Sequence, residues 1–352
     1  MPLKAPTLAL AAALLAGSLA AADESALLQL AMPDATVIVG ISCDRIKAAT
    51  AGSRYQQLTA EYMSQYGQSW RSMKDTVGYD LRDIQEILVT LRPGPKSGSA
   101  QGLVMVRAPF DPEHPPSLLA MLFTQQTTHQ GVPLWLTAPG KGDQFAMAFL
   151  HRSIALFGDP DSVRAAIARW TDGVGAPSPA LAKATELSQK YHVWWMARDL
   201  ASVVPRGVPA PKPGDPLQRA FQSAEELTFG MVTAPSVQAS LNLLARTEKD
   251  AGALRDLLDS SLRMALAQAT GESGQALAKE LLAHLQLTAQ GRTVLLSFEI
   301  PEQKVFEMID AQIQQKRKQN AQVVVQGGTG DAGPKPGPEA PATPVITLPV
   351  PK

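Results

Sequence analysis

Short apolar runs rich in β-branched residues, bounded by acidic residues, Gly and Pro, indicate β-strands along this chain. The first run, in MPDATVIVGISCD, predicts a strand over about 36–42 that ends at Asp44 and leads into helical sequence. A second run, in YHVWWMARD, predicts a strand over about 192–197, with Asp199 after it. The same order of features therefore occurs twice.

Each of these two segments is followed by a predicted pair of strands and a helix. The pairs occupy about 83–107, around a loop rich in Gly, Pro and Ser, and about 223–246, around a short turn. Period-two alternation in both pairs is typical of strands with one buried face. The alternating positions are Ile87, Val89 and Leu91 in the first pair and Leu227, Phe229 and Met231 in the second.

A further set of strands ends at Pro160 in the first half of the chain and at Pro301 in the second, and each set precedes a predicted helix. The first half carries one extra predicted strand, over 145–150. In the second half, the apolar positions that face one way along the last strand are Val294, Leu296, Phe298 and Ile300.

These correspondences predict an internal duplication of the order strand, helix, two strands, helix, two strands, helix. The repeated elements span about 32–171 and 186–318, within a first copy over 23–175 and a second over 176–318. Short turns between consecutive strands favour an α+β fold of mostly antiparallel sheet with helices packed on it. The two copies form either one long sheet or two facing sheets.

The two ends of the chain have compositions unlike the rest. Residues 1–22 resemble a secretory signal peptide, with Lys4, an apolar run over about 8–19, and small residues at Ala20 and Ala22 before the expected cleavage point. A retained membrane anchor is the alternative, disfavoured because a span needs about 20 apolar residues. Export to the periplasm or the extracellular space is predicted, with no membrane span after cleavage.

Two Pro-rich segments contain few apolar side chains that could be buried in a core. The segment 205–216 is predicted to be a surface loop, and 319–352 a disordered tail.

Charge and cysteine content narrow the range of partners. Lys and Arg number 32, equal to Asp and Glu at 32, so no net charge favours nucleic acid. Cys43 is the single cysteine, which excludes an internal disulfide and predicts a small core residue rather than a nucleophile.

Catalytic and metal-binding motifs are absent from the sequence, so no catalytic residue, cofactor or metal ligand is assigned. The five histidines are scattered. Asp111, Glu113 and His114 form the densest polar group, for which a solvated turn before a helix is the favoured interpretation over a cation site. Trp194 and Trp195 point to opposite faces of a strand, so one is expected in the core and the other is a candidate binding contact.

The stretch SIALFGDPDSVRAAI, residues 153–167, has the strand, Gly-containing turn and helix of many phosphate sites. The equivalent FEIPEQKV has Ile300 where a glycine would be needed, but keeps the acidic residue and the proline of a helix start. A repeated structural joint is therefore favoured, in which Gly158 serves a local turn.

The sequence resembles exported proteins of acidobacterial-type soil bacteria. The resemblance rests on MPDATVIVGISCDRIKA, IALFGDPDSVRAAI and LTAQGRTVLLSFEIPEQ. It implies export and the same order of elements, and carries no known activity.

The preferred functional hypothesis is a non-enzymatic extracytoplasmic protein that presents a surface or an inter-copy cleft to a protein partner or a small apolar ligand. One alternative is an extracytoplasmic hydrolase whose site is assembled from residues distant in sequence. The other is an envelope-associated assembly factor that docks through its tail.

Overall fold

The computed structural model describes residues 26–51, 53–54, 56–57, 80–95, 99–110, 122–138, 144–173, 175, 177–199, 223–267 and 282–307. The chain up to Phe306 is one compact unit, and of the second unit, from Glu307 onward, only Glu307 is described. Several predictions lie outside the described residues: the signal peptide, Asp111, Glu113 and His114, the loop 205–216 and the tail.

Twelve strands form one antiparallel sheet, so the described part of the chain is a mixed structure built on a single long sheet. The strands are β1 Val37–Ser42, β2 Glu86–Pro93, β3 Ala100–Arg107, β4 Gln125–His129, β5 Val132–Leu136, β6 Ala146–His151, β7 Ile154–Gly158, β8 Val193–Arg198, β9 Ala224–Val232, β10 Ser236–Ala245, β11 Leu285–Gln290 and β12 Thr293–Pro301.

The sheet is arranged around an antiparallel central pair, β1 and β8, with Val39 opposite Trp195. Outward from β8 the order is β9, β10, β12 and β11, and outward from β1 it is β2, β3, β7, β6, β5 and β4. The two halves of the described chain therefore form one long sheet and not two facing sheets.

Helices pack on both faces of this sheet. The helices discussed below are α1 26–30, α2 Cys43–Ala49, α3 Pro160–Asp172, α4 Pro179–Lys190 and α5 Glu248–Ala267; residues 302–307 after β12 are also helical, and Leu81–Asp83 form a 3-10 helix. Helices α1, α3 and α4 lie on the face that carries Ile38, Leu88 and Leu103, here called face 1. Helix α5 lies on the opposite face, face 2, over β10, β11 and β12.

The core on face 1 includes a segment that the sequence did not predict as structural. Helix α1 and the residues after it contribute Leu27, Leu30 and Met32, all at most 2% exposed. Polar contacts fix the segment in place: Arg169 of α3 donates to the carbonyl of Leu30 at 2.7 Å, and Ser162 contacts the Met32 sulfur at 3.2 Å. Helix α1 is thus part of the face 1 core, in the same buried cluster as α3.

Three details of the predicted elements are wrong. Helix α4 was not predicted; it begins between the repeated elements and runs into the second, and its face with Leu181 and Leu187 packs on face 1. Strand β4 was not predicted, because its sequence, QQTTH, has no apolar residue. In β2 the most deeply buried side chains are Leu88 and Thr90 rather than the alternating set, since helices cover face 1 at this strand.

Candidate functional site

The two tryptophans of β8 occupy opposite faces, as predicted. Trp194 is 3% exposed and lies in the face 1 core, where a Cβ placed on Gly40 of the neighbouring strand would overlap its indole ring. Trp195 is half-buried on face 2 and stacks on Phe229, with ring centroids 6.0 Å apart. Both indoles therefore have packing partners within the protein.

The turn between β7 and α3 is filled by a carboxylate of the chain itself. Asp159 is the N-cap of α3, and its side chain accepts hydrogen bonds from the backbone N–H of Ser162 at 3.0 Å and of Gly102 at 3.1 Å. Pro160, at the first helical position, has no N–H to satisfy. A phosphate at this helix end would have to displace Asp159, so the geometry is that of a joint.

Gly158 is needed for the close packing of two strands, and not for the turn geometry that the sequence predicts. A Cβ on Gly158 would overlap the carbonyl oxygen of Gly102, so glycine is required by the close approach of β3 and β7. Its φ angle is not in the left-handed region, which removes the argument from turn geometry.

An apolar cleft of about 680 Å³, here called the Gly102 cleft, opens beside this joint. Its walls include Leu91 of β2, Val104 of β3 and Phe157 of β7, which share face 2 by strand register. Gly102 adds no side chain to this surface, where the end of the Leu91 side chain lies over it, and the lining residue Phe145 is 54% exposed. The arrangement can bury a small apolar molecule.

The charged residues that line this cleft all lie at the start of α3. Asp161 and Arg164 of α3 form an ion pair at 3.0 Å, and both line the cleft together with the N-cap residue Asp159, whose carboxylate is hydrogen-bonded to backbone N–H groups. Because these charges are paired and largely exposed, they leave the apolar walls as the main contact surface.

A second concave region, here called the Tyr191 groove, lies on face 1 between α4 and strands β9 to β12. It consists of two clefts of about 230 and 440 Å³ that share Lys190 and Tyr191. The Tyr191 hydroxyl lies 2.8 Å from the Ser240 hydroxyl, and its ring lies over Gly230, where a Cβ would overlap it. The floor of the groove includes hydroxyl and amide side chains, among them Ser240, Asn242 and Ser297.

Two titratable groups have displaced pKa values. Burial, and secondarily the positive charge of Arg45, lowers the pKa of His192, whose Nδ1 lies 3.0 Å from the Thr233 hydroxyl. Burial is also the main cause that raises the pKa of the half-buried Cys43 thiol, which favours the unreactive protonated form. Cys43 begins α2 and is only half-buried, whereas a core position was predicted.

The described residues contain neither a group of metal-binding side chains nor a helix that could span a membrane. No three His, Cys, Asp or Glu side chains there are grouped so that they could hold a metal ion. No helix in the same ranges has the length and apolar character needed to cross a bilayer.

No family model matches this sequence, and no curated protein matches it. Among solved structures, the chain is similar to one described as "Structure of crystal form I of TP0453", with 9% sequence identity and a TM-score of 0.38. The alignment covers 81% of this chain and 96% of that chain. A likeness at this TM-score carries no argument about fold or function.

Proposed function

We propose that this protein is a non-enzymatic extracytoplasmic binding protein whose Gly102 cleft takes a small apolar ligand. The observation that carries the proposal is the cleft itself: a volume of about 680 Å³ walled by Leu91, Val104 and Phe157. Small-molecule sites usually have volumes of about 300–1,000 Å³ and mostly apolar walls. Export is supported by the leader-like composition of residues 1–22.

Phe145 supports the assignment of this cleft to a ligand. A phenyl ring that is 54% exposed leaves much of its apolar surface in water, and a bound ligand would remove that surface from water. Gly102 also lines the cleft, and a side chain there would displace the end of the Leu91 side chain. The site thus combines an apolar surface with the largely exposed phenyl ring of Phe145.

We also propose that the chain is an internal duplication. In support, the order β8, β9, β10, β12, β11 in one direction matches β1, β2, β3, β7, β6 in the other, about an antiparallel central pair. The hairpin partners β4 and β5 extend only the first half. The Gly102 cleft belongs to the first copy and the floor of the Tyr191 groove to the second, so the two copies have diverged in the sites they present.

The apolar-ligand proposal is tested by titrating the protein with the neutral fluorescent probe N-phenyl-1-naphthylamine. Replacement Phe145→Ser removes the aromatic wall, and we expect binding about tenfold weaker, corresponding to the loss of about 1.4 kcal/mol of apolar contact. Because Phe145 is largely exposed, this change should leave folding intact.

The matched control is Met264→Ser, which removes an apolar side chain that is 62% exposed on α5, outside the residues that line the cleft. A second cleft variant, Gly102→Leu, fills the floor; its Cβ would lie 2.9 Å from the end of the Leu91 side chain, which can move aside. Equal probe affinity in wild type and both cleft variants would refute the proposal.

A further inference from the structure

The floor of the Tyr191 groove carries polar side chains in cross-strand rows. Directly opposite residues of antiparallel strands lie on the same face of a sheet. Ser240 of β10 is opposite Gly230 of β9 and Ser297 of β12, and Ser297 is in turn opposite Gln286 of β11. Polar side chains of this row therefore lie on three neighbouring strands of face 1, and on β9 the row ends at Gly230.

A neighbouring row carries polar side chains on β9 and β10 but an apolar one, Leu295, on β12. Asn242 of β10 is opposite Thr228 of β9, one hydrogen-bonding interval along the strands from Ser240. Adjacent strands lie about 4.8 Å apart, so the four strands together span about 14 Å. The groove thus presents hydroxyl and amide groups from several strands over a length suited to a few sugar rings.

Several of these groups have no hydrogen-bond partner within the described part of the chain. The side chains of Asn242, Gln286 and Ser297 make no hydrogen bond to another described residue, whereas Ser240 pairs with Tyr191 and Thr228 is buried. Each free amide or hydroxyl can both donate and accept. A ligand with many hydroxyl groups can satisfy such a surface better than an apolar or purely anionic one.

The charged residues around the groove are largely neutralised inside the protein. Lys183 pairs with Glu186 at 2.8 Å, and Arg198 lies 3.7 Å from Glu226. The remaining carboxylate, Glu299, accepts hydrogen bonds from Ser236 at 2.8 Å and Gln238 at 3.0 Å. The local balance gives no excess positive charge to attract an anion, which favours an uncharged ligand.

Beyond the apolar ligand of the Gly102 cleft, we propose that the Tyr191 groove binds an uncharged oligosaccharide. The hydroxyl and amide rows supply the hydrogen bonds, and α4 forms one wall through Leu187 and Lys190. The Lys190 ammonium group lies 5.0 Å above the Tyr191 ring, which restrains both side chains at the centre of the groove.

The proposal is tested on the full protein by isothermal titration calorimetry with three neutral hexasaccharides: maltohexaose, cellohexaose and chitohexaose. We expect at least one of them to bind. The double variant Asn242→Leu with Ser297→Val, which removes one polar group from each row, should weaken that binding at least tenfold. Thr127→Val, on the exposed strand β4 at the opposite end of the sheet, is the matched control and should leave it unchanged.

Failure of all three sugars to bind at millimolar concentration would overturn the proposal. So would equal sugar affinity of the double variant and wild type, or stronger binding of a sulfated hexasaccharide than of any neutral one. N-phenyl-1-naphthylamine titration of the same double variant separates this site from the Gly102 cleft, because the two share no lining residue.

Discussion

At the scale of single residues, two glycines of the sheet allow aromatic rings to pack directly on the backbone. The indole of Trp194 lies over Gly40, and the phenol ring of Tyr191 lies over Gly230. Glycine within a strand is usually destabilising, because it lacks a side chain to pack and loses more entropy on folding. Here the neighbouring ring supplies the missing packing, and both glycines become fixed parts of the face 1 core.

We therefore expect Gly40→Ala to lower the free energy of unfolding by about 2 kcal/mol, because the new methyl group must displace the Trp194 ring from a filled core. Urea unfolding followed by circular dichroism measures this change. The matched control is Gly252→Ala in α5, where a Cβ meets no atom within 4 Å and the higher helix propensity of alanine should stabilise the protein slightly. The same unfolding midpoint for Gly40→Ala and wild type would contradict the prediction.

At the scale of elements, one arginine joins two helices that are distant in sequence. Arg45 of α2 donates hydrogen bonds to the backbone carbonyls of Ser188, Gln189 and Tyr191 at the end of α4. These carbonyls lack partners within the helix, and the cation also complements the negative end of the helix dipole. The contact fixes the end of α4 that carries Lys190 and Tyr191 at the groove.

Replacement Arg45→Ala should lower the free energy of unfolding by about 2 kcal/mol, since it removes charge-assisted hydrogen bonds and leaves carbonyl groups unpaired. Arg45→Lys should restore only part of this, because an ammonium group cannot span the three carbonyls as a guanidinium does. On the same helix, Lys47→Ala removes an exposed ion pair with Asp44 and one exposed hydrogen bond to the carbonyl of Ile84, and should change stability by only about 0.5 kcal/mol. Equal effects at positions 45 and 47 in thermal unfolding would count against this role of Arg45.

The elements that the sequence predicts well are those with strong local patterns. Strands β1 and β8 lie within a residue of their predicted bounds, because their apolar runs end at acidic residues. Strand β4 lacks such a pattern, since it is an exposed edge strand that exists only through its pairing with β5. Helix α1 is short, and its burial depends on α3, which is more than 120 residues away.

The two sites could not be predicted, because each depends on strand register and order. The Gly102 cleft brings together β2, β3 and β7, along with Phe145 before β6. The polar rows of the Tyr191 groove depend on which residues of β9, β10, β11 and β12 lie opposite one another. Alternation along each strand indicates its two faces, but the pairing partners are set by the whole sheet.

At the scale of the whole molecule, the central pair β1 and β8 joins two half-sheets through backbone hydrogen bonds and shared packing. Val37 of β1 and Ala197 of β8 lie in one face 2 cluster, while Ile38 and Met196 lie in the face 1 core. Apolar clusters on both faces therefore cross the centre of the sheet, and neither half is closed at β1 or β8 by itself.

A fragment of residues 23–175 would leave β1 as an open edge strand, since its partner β8 is missing. Such an edge is a template for pairing with another chain, and β1 already pairs antiparallel with β8. We expect the purified fragment to associate into dimers or larger species, whereas the same chain extended to residue 306 has β1 covered on both sides. Light scattering during size-exclusion chromatography distinguishes these states, and a stable monomeric fragment would disprove the expectation.

The burial of α1 has a consequence for the timing of maturation. If the leader is cleaved after Ala22 as proposed, only a few residues separate the new amino terminus from Leu27, which is fully buried. While an uncleaved leader remained in a membrane, so short a tether would hold α1 close to the lipid surface and oppose its seating between the sheet and α3. Under that proposal, leader removal would free α1 to complete the face 1 core.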